Sequence, residues 1–129
     1  MFAKHLSLTD YRCYEKAEIP LVPGINVIRG PNAAGKTNLL ESFLFFSTLK
    51  PLRSVKDKDL IRSGADYAFA ELEFESEGRD KKIEIALSQT GGRKITKNGV
   101  AIRKNTEVIG SFTTVIFSPD DLYLVKGAA

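Results

Sequence analysis

Residues 30–37 read Gly-Pro-Asn-Ala-Ala-Gly-Lys-Thr, which fits the spacing G-x-x-x-x-G-K-[S/T]. That spacing suits a phosphate chain. A phosphate must be wrapped by backbone amides, and Gly30 and Gly35 let the backbone come that close. Lys36 is placed to reach the β- and γ-phosphates with its ammonium group. Thr37 is placed to set its hydroxyl on a Mg²⁺ ion bridging the same phosphates. The amides from Ala34 to Asn38 point outward from a first helical turn, where the positive end of the helix dipole adds to the attraction. The candidate nucleotide-binding residues are therefore Gly30, Pro31, Asn32, Ala33, Ala34, Gly35, Lys36, Thr37 and Asn38, with Thr37 the candidate Mg²⁺ ligand.

Such a loop works only between a strand that delivers it and a helix that carries it away. Ile25-Asn26-Val27-Ile28-Arg29 predicts the strand, and residues 38–46 predict the helix. In that helix Leu39, Leu40, Phe43, Leu44 and Phe46 leave Glu41 and Ser42 as the clearly polar positions. The pattern predicts a helix buried on more than one side, held between layers.

The remaining elements follow from periodicity and turn chemistry. Residues 2–8 and 14–19 predict strands around a turn at Asp10-Tyr11-Arg12, with Pro20 ending the second. Pro51 stops the helix. Residues 50–58 are polar and basic and predict a surface loop, followed by a short helix over 57–63, capped by Asp57 and ended by Gly64. Residues 68–75 alternate, with Glu71, Glu73 and Glu75 on the side away from the apolar positions. This is a half-buried strand with a wet face rather than a metal site. Ile83, Ile85 and Leu87 form the core face of the next strand. Asn98-Gly99 signals a two-residue hairpin. Residues 105–109 predict a helical turn, residues 113–117 a buried strand, and Ser118-Pro119-Asp120-Asp121 its end and a helix start.

A length of 129 residues allows one domain or part of one. The net charge of +3 permits contact with nucleic acid without requiring it. Cys13 is the only cysteine, so no intrachain disulfide forms, which suits the reducing cytoplasm. His5 is the only histidine and has no cysteine partner nearby, which argues against zinc. No stretch is long and apolar enough to span a membrane, and the N-terminus lacks a signal-peptide pattern. Lys50, Arg53, Lys56, Lys58 and Arg62 form one basic group; Arg93, Lys94, Lys97, Arg103 and Lys104 form another. Neither is interleaved with aromatics, so contact with DNA would be to phosphates, non-specific and salt-sensitive. Arg53, Lys56 and Lys58 are the candidate DNA contacts.

Motifs along the chain add a resemblance. They are Leu8-Thr9-Asp10-Tyr11-Arg12-Cys13-Tyr14-Glu15, Pro23-Gly24-Ile25-Asn26-Val27, Asp57-Lys58-Asp59-Leu60-Ile61-Arg62, Lys97-Asn98-Gly99-Val100, Phe117-Ser118-Pro119-Asp120-Asp121-Leu122 and Leu124-Val125-Lys126-Gly127. In this order they resemble the N-terminal part of the RecF family, in the SMC-like branch of ABC ATPases. The resemblance implies an α/β P-loop NTPase fold: lobe I of an ABC-type ATPase head, with a mixed sheet and an antiparallel β subdomain. It implies a single partial domain over 1–129, with lobe II absent. It also implies ATP and Mg²⁺ as cofactors and an ATP-dependent homodimer of the intact protein. The implied partners are DNA at gaps and single-strand/double-strand junctions, RecR directly, and RecO and RecA in RecA loading. Arg12 matches an arginine that lies near the nucleotide in SMC-like heads.

The chain also departs from the pattern. Ala33 stands where SMC-like loops usually have glycine. Ser118 to Asp121 falls where related heads carry the Q-loop, yet Gln89 is the only glutamine and sits beside a hairpin turn. Asp120 or Asp121 is left as a metal-linked substitute or as a helix cap. Neither a signature motif nor a Walker B Asp-Glu occurs in the 129 residues. The expectation is a fragment that binds ATP weakly at best and does not turn it over, because the general base and the partner's charge clamp are missing. Two alternatives stand beside it. One is a kinase-like phosphotransferase, which the hairpin-rich middle disfavours. The other is a non-catalytic module contacting DNA or RecR.

Overall fold

Side chains on a strand alternate between faces, so a period of two in hydrophobicity builds a sheet with one dry and one wet side. The computed structural model describes residues 1–26, 35–51 and 56–114 and contains such a sheet. Its strands are β1 (Phe2–Tyr11), β2 (Tyr14–Pro20), β3 (Tyr67–Ser76), β4 (Arg79–Ser88), β5 (Arg93–Lys97) and β6 (Val100–Ala101). They run in the order β2-β1-β3-β4-β5-β6, antiparallel throughout. The strands expected at 25–29 and 113–117 lie largely outside the described residues, as does Ser118 to Asp121; of the first, Ile25 and Asn26 are described and are exposed outside any strand.

Strand β3 shows how the register is set. Ala68, Ala70, Leu72 and Phe74 are buried on one face. Leu72 lies opposite Leu6 of β1 and Ile83 of β4, and all three are fully buried, so a one-residue slip would send this apolar row to solvent. The opposite face is wet, as expected from the glutamates: Lys82 Nζ lies 3.5 Å from Glu71. No cluster of His, Cys, Asp or Glu among the described residues could hold a metal. Tight turns join the hairpins. Glu77-Gly78 and Asn98-Gly99 each place two residues at positive φ, the conformation a two-residue hairpin needs.

Helix α1 (Gly35–Thr48) is the only α-helix among the described residues. Leu39, Phe45 and Phe46 join the sheet residues in one core. The helix ends at Leu49, which takes φ 57° and donates its amide to the Phe45 carbonyl at 2.8 Å, ahead of Pro51. The polar residues of α1 are not where simple amphipathicity would put them. Glu41 and Ser42 are buried, while Leu40 is 43% exposed. Each buried group has a partner: the Ser42 hydroxyl donates to the Leu39 carbonyl at 2.6 Å, and Glu41 accepts from Arg12.

Three local expectations change. The expected turn at 10–12 is shifted: Tyr11 remains in β1 and is buried, because Asp10 and Arg12 on either side take φ 51° and 53°. The helix expected over 57–63 is a short 3₁₀ turn, Asp57–Leu60, after which Ile61 bridges back to Tyr11. Asp57 does not cap it. Its carboxylate is taken by a bidentate pair with Arg93, which also donates to the Leu49 carbonyl at 2.8 Å and lies over the Phe45 ring at 5.2 Å. Arg93 therefore braces the fold and leaves the second basic group, whereas Lys94, Arg103 and Lys104 are exposed.

Candidate functional site

The G-x-x-x-x-G-K-[S/T] motif ends within the first turn of α1, which begins at Gly35, so whatever touches the first turns of α1 borders the candidate site. Residues 30–34 lie outside the described residues, as do the roles assigned to the side chains of Gly35, Lys36 and Thr37. What is described is the support beside them. The tip of the β1–β2 hairpin, Arg12-Cys13, packs against α1. Asn38 Nδ2 reaches Cys13 Sγ at 3.4 Å, and Arg12 Nη2 donates to Glu41 Oε2 at 3.1 Å.

The hairpin tip is fixed from its other side. The Arg12 amide donates to the Leu60 carbonyl at 2.8 Å, and the Arg62 amide donates to the Asp10 carbonyl at 2.8 Å. The 57–62 segment thus clamps both backbone neighbours of Tyr11. Asp59 closes its own turn by accepting the Lys56 amide at 2.9 Å. Arg12 Nη1 points at the Asp59 carbonyl from 3.5 Å. Three segments distant in sequence therefore converge on one guanidinium.

The electrostatics are those of a cation held by one corner. The Arg12 side chain is 22% exposed and that of Glu41 5%. Arg12 Nε is buried and has no hydrogen-bond partner among the described residues, and neither has the buried Tyr11 hydroxyl. Burial, and next the Glu41 charge, hold the Tyr11 phenol far above its ordinary value, so it stays protonated. Beyond its bonds to Glu41 and the Asp59 carbonyl, the guanidinium keeps a second N–H on each Nη, and these lie beside the first turns of α1.

Of the residues expected to act, the structure brings Arg12 and Asn38 together at the head of α1. Lys56 and Lys58 are exposed at the 3₁₀ turn; Arg53 lies outside the described residues. Sequence reasoning missed Glu41 and the clamp at 59–62. The available signal was Glu41 itself: a charged residue one turn past Thr37 in an otherwise apolar helix.

A family profile described as "AAA domain" matches residues 5–123. The DNA replication and repair protein RecF of Clostridium acetobutylicum is 41% identical over 126 residues, covering 98% of this chain and 35% of that protein. The chain thus spans about a third of the length of the curated relatives it matches. A solved structure of the recombination mediator protein RecF with ATP superposes with TM-score 0.88 at 30% identity, over 96% of this chain and 34% of the other. A chain from work on ATP-driven dimerization of SMC ATPases superposes with TM-score 0.82 at 22% identity, over 98% of this chain and 92% of the other, which speaks for the fold.

Proposed function

The chain belongs to the AAA domain family and groups with the RecF proteins, with the lobe I fold of an ABC-type ATPase head, and from that premise we propose that it is the ATP-holding lobe of a RecF-like recombination mediator. The observation that carries the reading is the placement of Arg12. A guanidinium with spare donors stands beside the first turns of the helix that the G-P-N-A-A-G-K-T loop enters. Backbone amides of 30–38 and the Lys36 ammonium hold the phosphates, and Thr37 holds Mg²⁺. Arg12 adds a second cation from the hairpin. ATP supplies the triphosphate whose charge these groups neutralise.

The wider reading concerns a protein of the relatives' length. There two heads close on two nucleotides, the pair binds DNA at gaps and single-strand/double-strand junctions, and RecR and RecO join it to load RecA in the cytoplasm. Arg53, Lys56 and Lys58 are the proposed phosphate contacts. Turnover is assigned to a two-lobed head, since none of the 129 residues supplies the Walker B Asp-Glu or the signature motif.

Calorimetry with ATP and Mg²⁺ tests the core of this. Weak binding that disappears in Lys36→Ala is expected, without multiple-turnover hydrolysis. Binding that survives Lys36→Ala would sink the loop's role. No binding at all would leave a non-catalytic interaction module as the better reading.

A further inference from the structure

We propose that Glu41 is a positioning residue for nucleotide binding: it aims the Arg12 guanidinium at the phosphates that the 30–38 loop holds. The proposal rests on the nucleotide reading above and assigns a part to a residue that reading does not use.

Glu41 is anomalous as a packing residue. A carboxylate only 4% exposed loses its hydration, and an apolar side chain would serve the contact at least as well. Its neighbour Leu40 meanwhile faces solvent. Packing alone would reverse the two. What Glu41 gains in this place is Arg12, at 3.1 Å.

The pair is built to hold the cation without using it up. A guanidinium has five N–H donors. Glu41 takes one, the Asp59 carbonyl is at the limit of reach for another, and Nε has no partner among the described residues. Nε is buried, so the donors left for an anion are the second N–H on each Nη, carried by a side chain that is 22% exposed. The direction is also set. Positions 37, 38 and 41 share a face of α1, since residues three and four apart are neighbours on a helix. Glu41 therefore draws Arg12 to within roughly 6 Å along the axis of the backbone at Thr37. The clamp from Leu60 to the Arg12 amide keeps the hairpin tip from drifting away. A latch that hides Arg12 from phosphate would need its Nη donors consumed, whereas each Nη keeps an N–H beyond its bond to Glu41 or to the Asp59 carbonyl. Loss of Glu41 must then weaken ATP binding, whereas removing a latch would strengthen it.

The test is calorimetric titration of the 129-residue chain with ATP and Mg²⁺, in wild type, Lys36→Ala, Arg12→Ala, Glu41→Gln and the Arg12→Ala/Glu41→Gln pair. Glu41→Gln is expected to weaken ATP roughly tenfold, about as much as Arg12→Ala, the scale of one charge-assisted hydrogen bond. The double variant is expected to be no worse than Arg12→Ala, since Glu41 acts through Arg12. Adenosine, which has no phosphate, is expected to bind all variants alike; a merely structural defect would lower it too. Unchanged or tighter ATP binding in Glu41→Gln overturns the proposal, as do additive effects. Should Glu41→Gln fail to fold, Arg12→Lys decides. It keeps the charge but lacks the fork that spans carboxylate and phosphate, so wild-type ATP affinity in Arg12→Lys overturns the proposal. If wild type takes no ATP, or Lys36→Ala changes nothing, the nucleotide reading falls as well. If Lys36→Ala abolishes binding and Glu41→Gln does not weaken it, the positioning role alone falls.

Discussion

Replacing Arg93 tests the claim that a residue of basic appearance is part of the frame. Arg93→Ala removes three contacts at once. The first is the bidentate pair with Asp57, whose side chains are 24% and 23% exposed. A charge-assisted pair of this exposure, discounted for solvent screening, contributes about 1–1.5 kcal/mol. The bond to the Leu49 carbonyl at 2.8 Å ties the end of α1 to β5 and adds about 1 kcal/mol. The guanidinium over Phe45 adds about 0.5–1 kcal/mol. The loss is therefore about 3 kcal/mol, or roughly 10–15 °C in Tm for a domain of this size. Urea unfolding followed by circular dichroism should show the midpoint fall with the slope unchanged. Arg93→Lys keeps the charge but not the fork, and should lose about half as much. If Arg93→Lys equals wild type, or Arg93→Ala costs less than about 1 kcal/mol, then Arg93 is a surface cation after all and the bracing account is wrong.

Leu72→Ala, at the fully buried centre of the β1–β3–β4 row, should cost about 3–4 kcal/mol in urea unfolding; under half that would mean the row is loosely packed. Gly99→Ala should cost about 1 kcal/mol through backbone strain alone, since Gly99 takes φ 83° and nothing lies within 4 Å of an added Cβ. Gly92→Ala, equally open but without a positive φ, is the near-neutral control. The Glu107 carboxylate accepts the amides of Lys104 at 3.0 Å and Arg103 at 2.7 Å, and these bonds, Lys104 first, hold its pKa below the ordinary carboxylate value. Its cap is therefore complete above that ordinary value and lost as pH falls through the lowered one. Amide shifts of Arg103 and Lys104 should titrate together with a midpoint below the ordinary value, and Glu107→Gln should abolish the transition.

Local pattern made much of the fold legible. Strands β3 and β4 could be read from alternation because one face is dry and the other wet along their length. Asn98-Gly99 could be read because only certain residues accept positive φ at both turn positions. The 3₁₀ turn at 57–60 reads locally as a longer helix because Ile61 finds a β partner in Tyr11, fifty residues earlier, which no local signal announces. Tyr11 reads locally as part of the turn because its inward direction depends on Asp10 and Arg12 both entering the left-handed region.

The sequence by itself determined that a G-x-x-x-x-G-K-[S/T] motif spans residues 30–37. It also determined that the middle of the chain is a set of antiparallel hairpins, since glycine spacing, turn chemistry and a period of two are properties of neighbouring residues. Only the tertiary structure decided the partners. Arg93 pairs with Asp57 and Arg12 with Glu41, separated by 36 and 29 positions. In sequence all four are simply charged residues. Which of them meets water and which is drawn into the protein depends on how distant segments dock, because a buried charge is tolerated only where the fold brings its counter-charge to it.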